Sequence, residues 1–150
     1  MDDQRPAETI TLSVCVLCRA RGGPSDDAER PGRGLASAVL EAAGGREDLP
    51  AHEIRGVRCM SQCLRPCTIA LSAPGRFTYL FGDLDPARDA AAVVDILPLY
   101  AAASDGFLPR DRRPPALQAG ILGRIPPLGS HGELVTSLAA SPSARGEPVT

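Results

Sequence analysis

Ile10, Leu12 and Val14 alternate with polar neighbours in "TITLSVCVLC", and β-branched residues abound, which predicts a strand running into Cys15. The following "RARGGPSDDAERPGRG" is rich in Gly, Pro and charge and reads as a loop. In "LASAVLEAAGG" the apolar period lengthens. Leu35, Val39 and Ala42 fall on one helical face, and Gly44-Gly45 supplies the stop. "HEIRGVRC" fits a short second strand ending at Cys59. "CTIALSA" and "RFTYLFG" are two more strand-like runs, and the short "APGR" between them predicts an antiparallel hairpin. Asp85-Pro86 then predicts the start of a long helix, with Asp as N-cap and Pro in the first turn. Its expected buried stripe is Val93, Leu97 and Tyr100. Pro98 inside that stripe should kink or break the helix, since it removes a backbone hydrogen bond at about 3 kcal/mol.

The order β-α-β then β-β-α predicts an α/β fold. A right-handed parallel crossover is followed by a hairpin that widens the sheet. The expectation is a four-stranded mixed sheet in the thioredoxin-like arrangement over residues 9–106. Residues 107–128, "FLPRDRRPPALQAGILGRIPPL", are proline-rich and predict an extension that wraps this domain, with at most a short helix near Leu117 to Leu122. Residues 129–150 are small and polar and predict a flexible tail. Within it "ELVTSLAA" allows one or two helical turns.

Composition adds constraints rather than a function. Hydrophobic residues make up 43% of the 150, but only five residues are aromatic and none is Trp, so the core must be built mostly from Leu, Val, Ile and Ala. Net charge is −2 and every basic side chain is Arg, which gives no electrostatic case for nucleic acid or an anionic membrane as partner. No run approaches the ~20 apolar residues of a membrane span. "MDDQRPAETI" lacks the basic and apolar stretches of a signal peptide, so a cytoplasmic location is expected. In that reducing compartment clustered cysteines point to metal binding or catalysis, and five of them cannot all pair.

Those cysteines carry the chemistry. "CVLC" holds Cys15 and Cys18, and "RCMSQCLRPC" holds Cys59, Cys63 and Cys67. Parallel strands end at the same edge of a sheet, so a β-α-β crossover should bring Cys15 and Cys59 together, with Cys18 and Cys63 just beyond. Adjacent strands lie ~4.8 Å apart, and open α/β sheets bind ligands at that edge. Crowded thiolates repel unless a cation offsets them, and soft sulfur selects iron–sulfur clusters, zinc or Cu(I). Arg19, Arg21, Arg58 and Arg65 are candidate charge compensators for an anionic cluster, although any one of them alone reads as an ordinary surface residue.

Other chemistries fit less well. The spacings match neither plant-type nor bacterial ferredoxin patterns. Cys15 and Cys18 fit a zinc knuckle, but C-x3-C-x3-C does not. Cys15-x-x-Cys18 after the first strand stands where a thioredoxin dithiol would, without the Pro between the cysteines. Cys67, opening a strand, has a purely core alternative. His52 and His131 are isolated. Ser13, Ser61 and Thr68 have no His–acid partner suggested by sequence, so nucleophilic hydrolysis lacks support. Asp85 reads as a cap and Asp83 as closing a strand.

"CVLCR", "CMSQCLRPCTIALSAPGRFTYLFGDLDP" and "LYAAASDGFLPRDRRPPALQAGILGRIPPL" resemble a bacterial family described as predicted metal-binding proteins. That family is similar to thioredoxin-like 2Fe–2S ferredoxins and is often found near cobalamin-synthesis genes. The resemblance covers roughly residues 10 to 128. It implies a 2Fe–2S cluster, with Cys59, Cys63 and "RPCTIAL" matching the ferredoxin C-x3-C layout and Arg65 replacing its Gly. The ferredoxins space their first two cysteines more widely than Cys15 and Cys18, and Cys67 is a fifth thiol. Cys18 and Cys67 are therefore alternative fourth ligands.

The expected function is a cysteine-ligated metal protein. It would carry an electron or serve as an accessory factor in cobalamin or tetrapyrrole metabolism. A redox or metal-delivery protein is its expected partner, and a homodimer is compatible with the sequence. The alternatives are a zinc- or cobalt-handling protein without redox role and a thiol–disulfide oxidoreductase. No independent catalytic residue is evident.

Overall fold

The computed structural model describes residues 8–19 and 30–141. Five strands, β1 (Ile10–Cys15), β2 (His52–Val57), β3 (Ile69–Ser72), β4 (Thr78–Phe81) and β5 (Ile121–Ile125), form one sheet in the order β2-β1-β3-β4-β5. Two helices, α1 (Pro31–Gly44) and α2 (Ala90–Ala102), pack against each other, and α1 also packs on β1. The β1/β2 pair is parallel, and every other pair is antiparallel.

Local sequence explains most of these elements. β1 sits inside the sheet, and Ile10, Leu12, Val14 and Cys15 are all buried. α1 begins four residues before the predicted Leu35 because Pro31, with its fixed φ, starts the first turn. Its buried stripe is Gly32, Leu35, Val39 and Ala43. The hairpin β3–β4 forms as predicted, with Gly75 at φ +69° in its turn. Leu12, Leu35, Val39, Ile69 and Leu71 are fully buried, each contributing about 1.5–3 kcal/mol of transfer free energy.

Several expectations are corrected. α2 starts at Ala90 rather than at Asp85-Pro86. Asp85 caps a separate turn, its Oδ1 accepting from Ala87 N at 2.8 Å, while buried Asp89 accepts from Asp85 N at 2.7 Å. Pro98 does not end α2, which continues to Ala102. Buried Ile96, Leu97 and Tyr100 around Pro98 outweigh the one missing hydrogen bond.

The sheet has five strands rather than four. The proline-rich extension makes two short 3-10 turns, Arg110–Arg112 and Pro115–Leu117, and then pairs as β5 with β4. It is anchored through buried Leu108 and Leu117, and Gly82 N donates to Gly120 O at 2.7 Å. "ELVTSLAA" is not helical; its described neighbourhood holds an isolated bridge between Gly132 and Val135, and Leu134 and Leu138 stay exposed. Among the described residues nothing buries those leucines, so a helix there gains no burial. The last nine residues lie outside the described part. Among the described residues no helix is long and apolar enough to cross a membrane.

Candidate functional site

The parallel pairing sets Cys15 opposite Val57, so the ends of β1 and β2 share an edge as expected. β2 itself stops at Val57, two residues short of Cys59. Cys59 and Ser61 adopt left-handed backbone, φ +73° and +61°, which ends the extended run and turns the chain back. That turn brings the Met60 amide to the Cys15 Sγ, to which it donates at 3.4 Å. The loop from Arg58 to Pro66 is thereby fastened over the end of β1.

The thiols divide into two groups. Cys15, Cys18 and Cys67 are buried, whereas Cys59 and Cys63 are exposed on the loop, and all five are free. Cys67 joins the buried group because β3 is antiparallel to β1 and therefore begins where β1 ends. Val14 pairs with Ile69, and Cys15 N donates to Thr68 O at 3.0 Å. Cys67 is pinned further by reciprocal backbone hydrogen bonds with Leu84, each 3.2 Å. The cysteine spacing groups Cys15 and Cys18 with Cys59 and Cys63; the structure adds Cys67 to the first pair and leaves the loop pair in solvent.

Electrostatics separate the buried three. Burial alone would raise the Cys15 pKa, but the amides of Met60, Leu17 and Cys18 and the Cys18 thiol stabilise its thiolate and bring it below the ordinary value. Burial pushes the Cys18 thiol up to about 11, reinforced by its hydrogen bond to Cys15. Burial likewise pushes Cys67 up to about 12, reinforced by the nearby Cys18 and Cys15. Cys15 is therefore the readiest anion of the buried group and Cys67 the most reluctant.

Two supporting residues, Gly32 and Arg30, stand outside the cysteine pattern. The first turn of α1 lies directly on "CVLC": Gly32 N donates to Cys18 O at 3.2 Å, and a Cβ on Gly32 would sit 2.1 Å from Cys15 O. Arg30 donates to Leu17 O at 2.7 Å. The available signal was a glycine three residues before Leu35, in the buried stripe of an otherwise Ala- and Leu-rich helix. Of the expected compensators, Arg65 is engaged by Asp83 at 2.5 and 2.7 Å, Arg19 and Arg58 are exposed, and Arg21 lies outside the described residues. His52 contacts the Pro50 carbonyl at 2.8 Å, and His131 lines a cleft with Gly75 and Phe77 near the hairpin turn, at the end of the sheet away from the thiols.

The donor set suits a thiophilic metal in kind: five free thiols at one sheet edge, one of them favoured as thiolate. Its placement is not a closed cage. Among the described residues no group of three or more His, Cys, Asp or Glu is arranged to hold a metal ion.

The fold has solved counterparts. A thioredoxin-like 2Fe–2S ferredoxin from Aquifex aeolicus matches with a TM-score of 0.52 at 22% identity, over 83% of this chain and 100% of that one. A further structure, of the wild-type ferredoxin from the same organism, matches with a TM-score of 0.45 at 23% identity, over 60% of this chain and 85% of that one. At such identities the likeness of the first shows the fold alone: an α/β chain with a mixed sheet, similar to the thioredoxin-like ferredoxin. No curated protein matches the chain. Residues 12–127 match the family described as "Protein of unknown function (DUF1636)", and the chain belongs to that family.

Proposed function

We propose that this protein binds a metal centre through its cysteines, and that the centre is a 2Fe–2S cluster serving electron transfer. The ligands of this reading are Cys15, Cys18, Cys59 and Cys63, with Cys67 the spare thiol. The observation that carries it is the Met60 amide bonded to Cys15 Sγ, which sets the loop bearing Cys59 and Cys63 over the buried pair. The ferredoxin-like fold supports the cluster type. Such a cluster supplies one-electron transfer when bound. The chain contributes the donors, the amides that favour the Cys15 thiolate, and the loop that carries the exposed thiols beside the buried ones. Within the same reading the protein works in the cytoplasm with a redox or metal-delivery partner, as a carrier or accessory factor linked to cobalamin or tetrapyrrole metabolism.

Anaerobic purification with ultraviolet–visible and EPR spectra, and with iron, sulfide and zinc analysis, tests the reading. A coloured protein containing iron and sulfide is expected, and Cys59→Ser and Cys63→Ser should each lose most of both. Full retention in the two variants refutes the ligand assignment. A colourless protein with about one zinc ion replaces the cluster by a zinc site.

A further inference from the structure

From Ile54 to Gly82 the chain has four arginines and no acidic residue, although its net charge is −2. Two of the four, Arg58 and Arg65, bracket the thiol loop. Arg58 is exposed, and exposed Arg19 follows Cys18 on the neighbouring loop. Among the described residues, the acids near this rim are Asp83, ion-paired with Arg65, and half-buried Asp85, which caps its own turn. Between Cys63 and Arg65 stands Leu64, 74% exposed. An isolated exposed leucine is ordinary. This one sits beside an exposed thiol of the candidate centre, with half-buried Met60 and Leu17 on the same two loops.

We infer that this tip docks an acidic redox protein, Leu64 entering an apolar depression while Arg58 and Arg19 meet carboxylates around it. The complementarity follows from charge: an apolar centre inside a cationic rim selects a partner of opposite sign and speeds encounter. The partner's role rests on the metal-binding reading, whereas its charge does not.

The test uses the full chain as purified, in biolayer interferometry against an acidic flavodoxin and the basic cytochrome c. Flavodoxin should bind, and its Kd should weaken about tenfold between about 20 and about 200 mM salt. Arg58→Glu and Leu64→Ser should each weaken it about tenfold. Arg110→Glu carries the same charge change on the extension and should stay within about twofold. Absence of flavodoxin binding overturns the inference. So does equal binding of cytochrome c, equal loss in Arg110→Glu, an unaffected Leu64→Ser, or capture by phosphatidylglycerol vesicles in place of flavodoxin. Iron and sulfide are assayed on the same samples. Loaded protein that fails to bind overturns the docking alone, and metal-free protein that binds with this variant pattern overturns the metal reading alone.

Discussion

Replacing Gly32 with Ala tests how the buried half of the site is built. The added methyl carbon would stand 2.1 Å from the Cys15 carbonyl oxygen and 3.0 Å from the Cys18 nitrogen. An unstrained contact needs roughly 3.5 Å, and both obstacles are backbone. Either the first turn of α1 or the "CVLC" loop must therefore move by about 1.4 Å. Overpacking of this kind costs about 1–3 kcal/mol. Alanine, the better helix former, returns about 0.5–1 kcal/mol. The net expectation is a loss of about 1–2 kcal/mol, or a fall in Tm of about 3–8 °C. Gly44→Ala is the matched control, because nothing lies within 4 Å of the new Cβ at the last residue of the same helix. It should gain about 0.5–1 kcal/mol. Urea denaturation of the metal-free protein, followed by circular dichroism, reads both variants. Iron and sulfide per chain after anaerobic loading should fall in Gly32→Ala and not in Gly44→Ala. If Gly32→Ala is as stable as the parent while Gly44→Ala behaves as stated, α1 does not press on "CVLC" and this account of the site fails.

Three further outcomes follow from the same geometry. Cys67→Ala should keep its iron and sulfide near parental levels, at a stability cost of about 1 kcal/mol for the lost buried atom; loss of the cluster would move the fourth ligand from Cys18 to Cys67. The metal-free protein should weaken in alkali. Cys18 and Cys67 are raised to about 11 and about 12, so the stability they confer is full below the ordinary thiol range and is lost as pH rises through those values. Cys15, lowered, acts in the opposite sense: its contribution is present above the ordinary thiol pKa and is lost as pH falls through the depressed one. Urea midpoints measured from about pH 8 to about pH 11 should decline, and less steeply in Cys67→Ala. Finally, Arg76 donates to the carbonyls of Tyr100 and Ala103 at the C-terminal end of α2. Arg76→Met should cost about 1–3 kcal/mol in thermal denaturation and leave metal content unchanged, since the hairpin turn lies at the far end of the sheet from the thiols.

Much of the fold was legible because its signals are local. The alternation of Ile10, Leu12 and Val14, the helical spacing of Leu35 and Val39, and the Pro-Gly turn at "APGR" each act within a few residues. The stripe Val93, Leu97 and Tyr100 is buried for the same reason. β5 was not legible. "ILGRI" is short, interrupted by Gly, preceded by Gly120 and followed by Pro126-Pro127. It becomes a strand because β4 offers an edge and the close pairing of Gly82 with Gly120 brings the extension to it. α2 likewise starts later than its sequence suggests, since buried Asp89 serves the turn before the helix rather than Asp85 serving the helix.

By itself the sequence determined that Cys15 and Cys59 come at the ends of two parallel strands, because a β-α-β crossover permits little else. It also determined that Cys18 and Cys63 come close behind them. Tertiary structure alone decided which thiols lie in the protein and which in water. The antiparallel return of β3 draws Cys67 in beside Cys15 and Cys18, and pairing with Leu84 holds it there. The left-handed turns at Cys59 and Ser61 tip the other two thiols outward while leaving the Met60 amide on Cys15. Burial and strand partnership depend on residues dozens of positions away, and periodicity along the chain does not encode them.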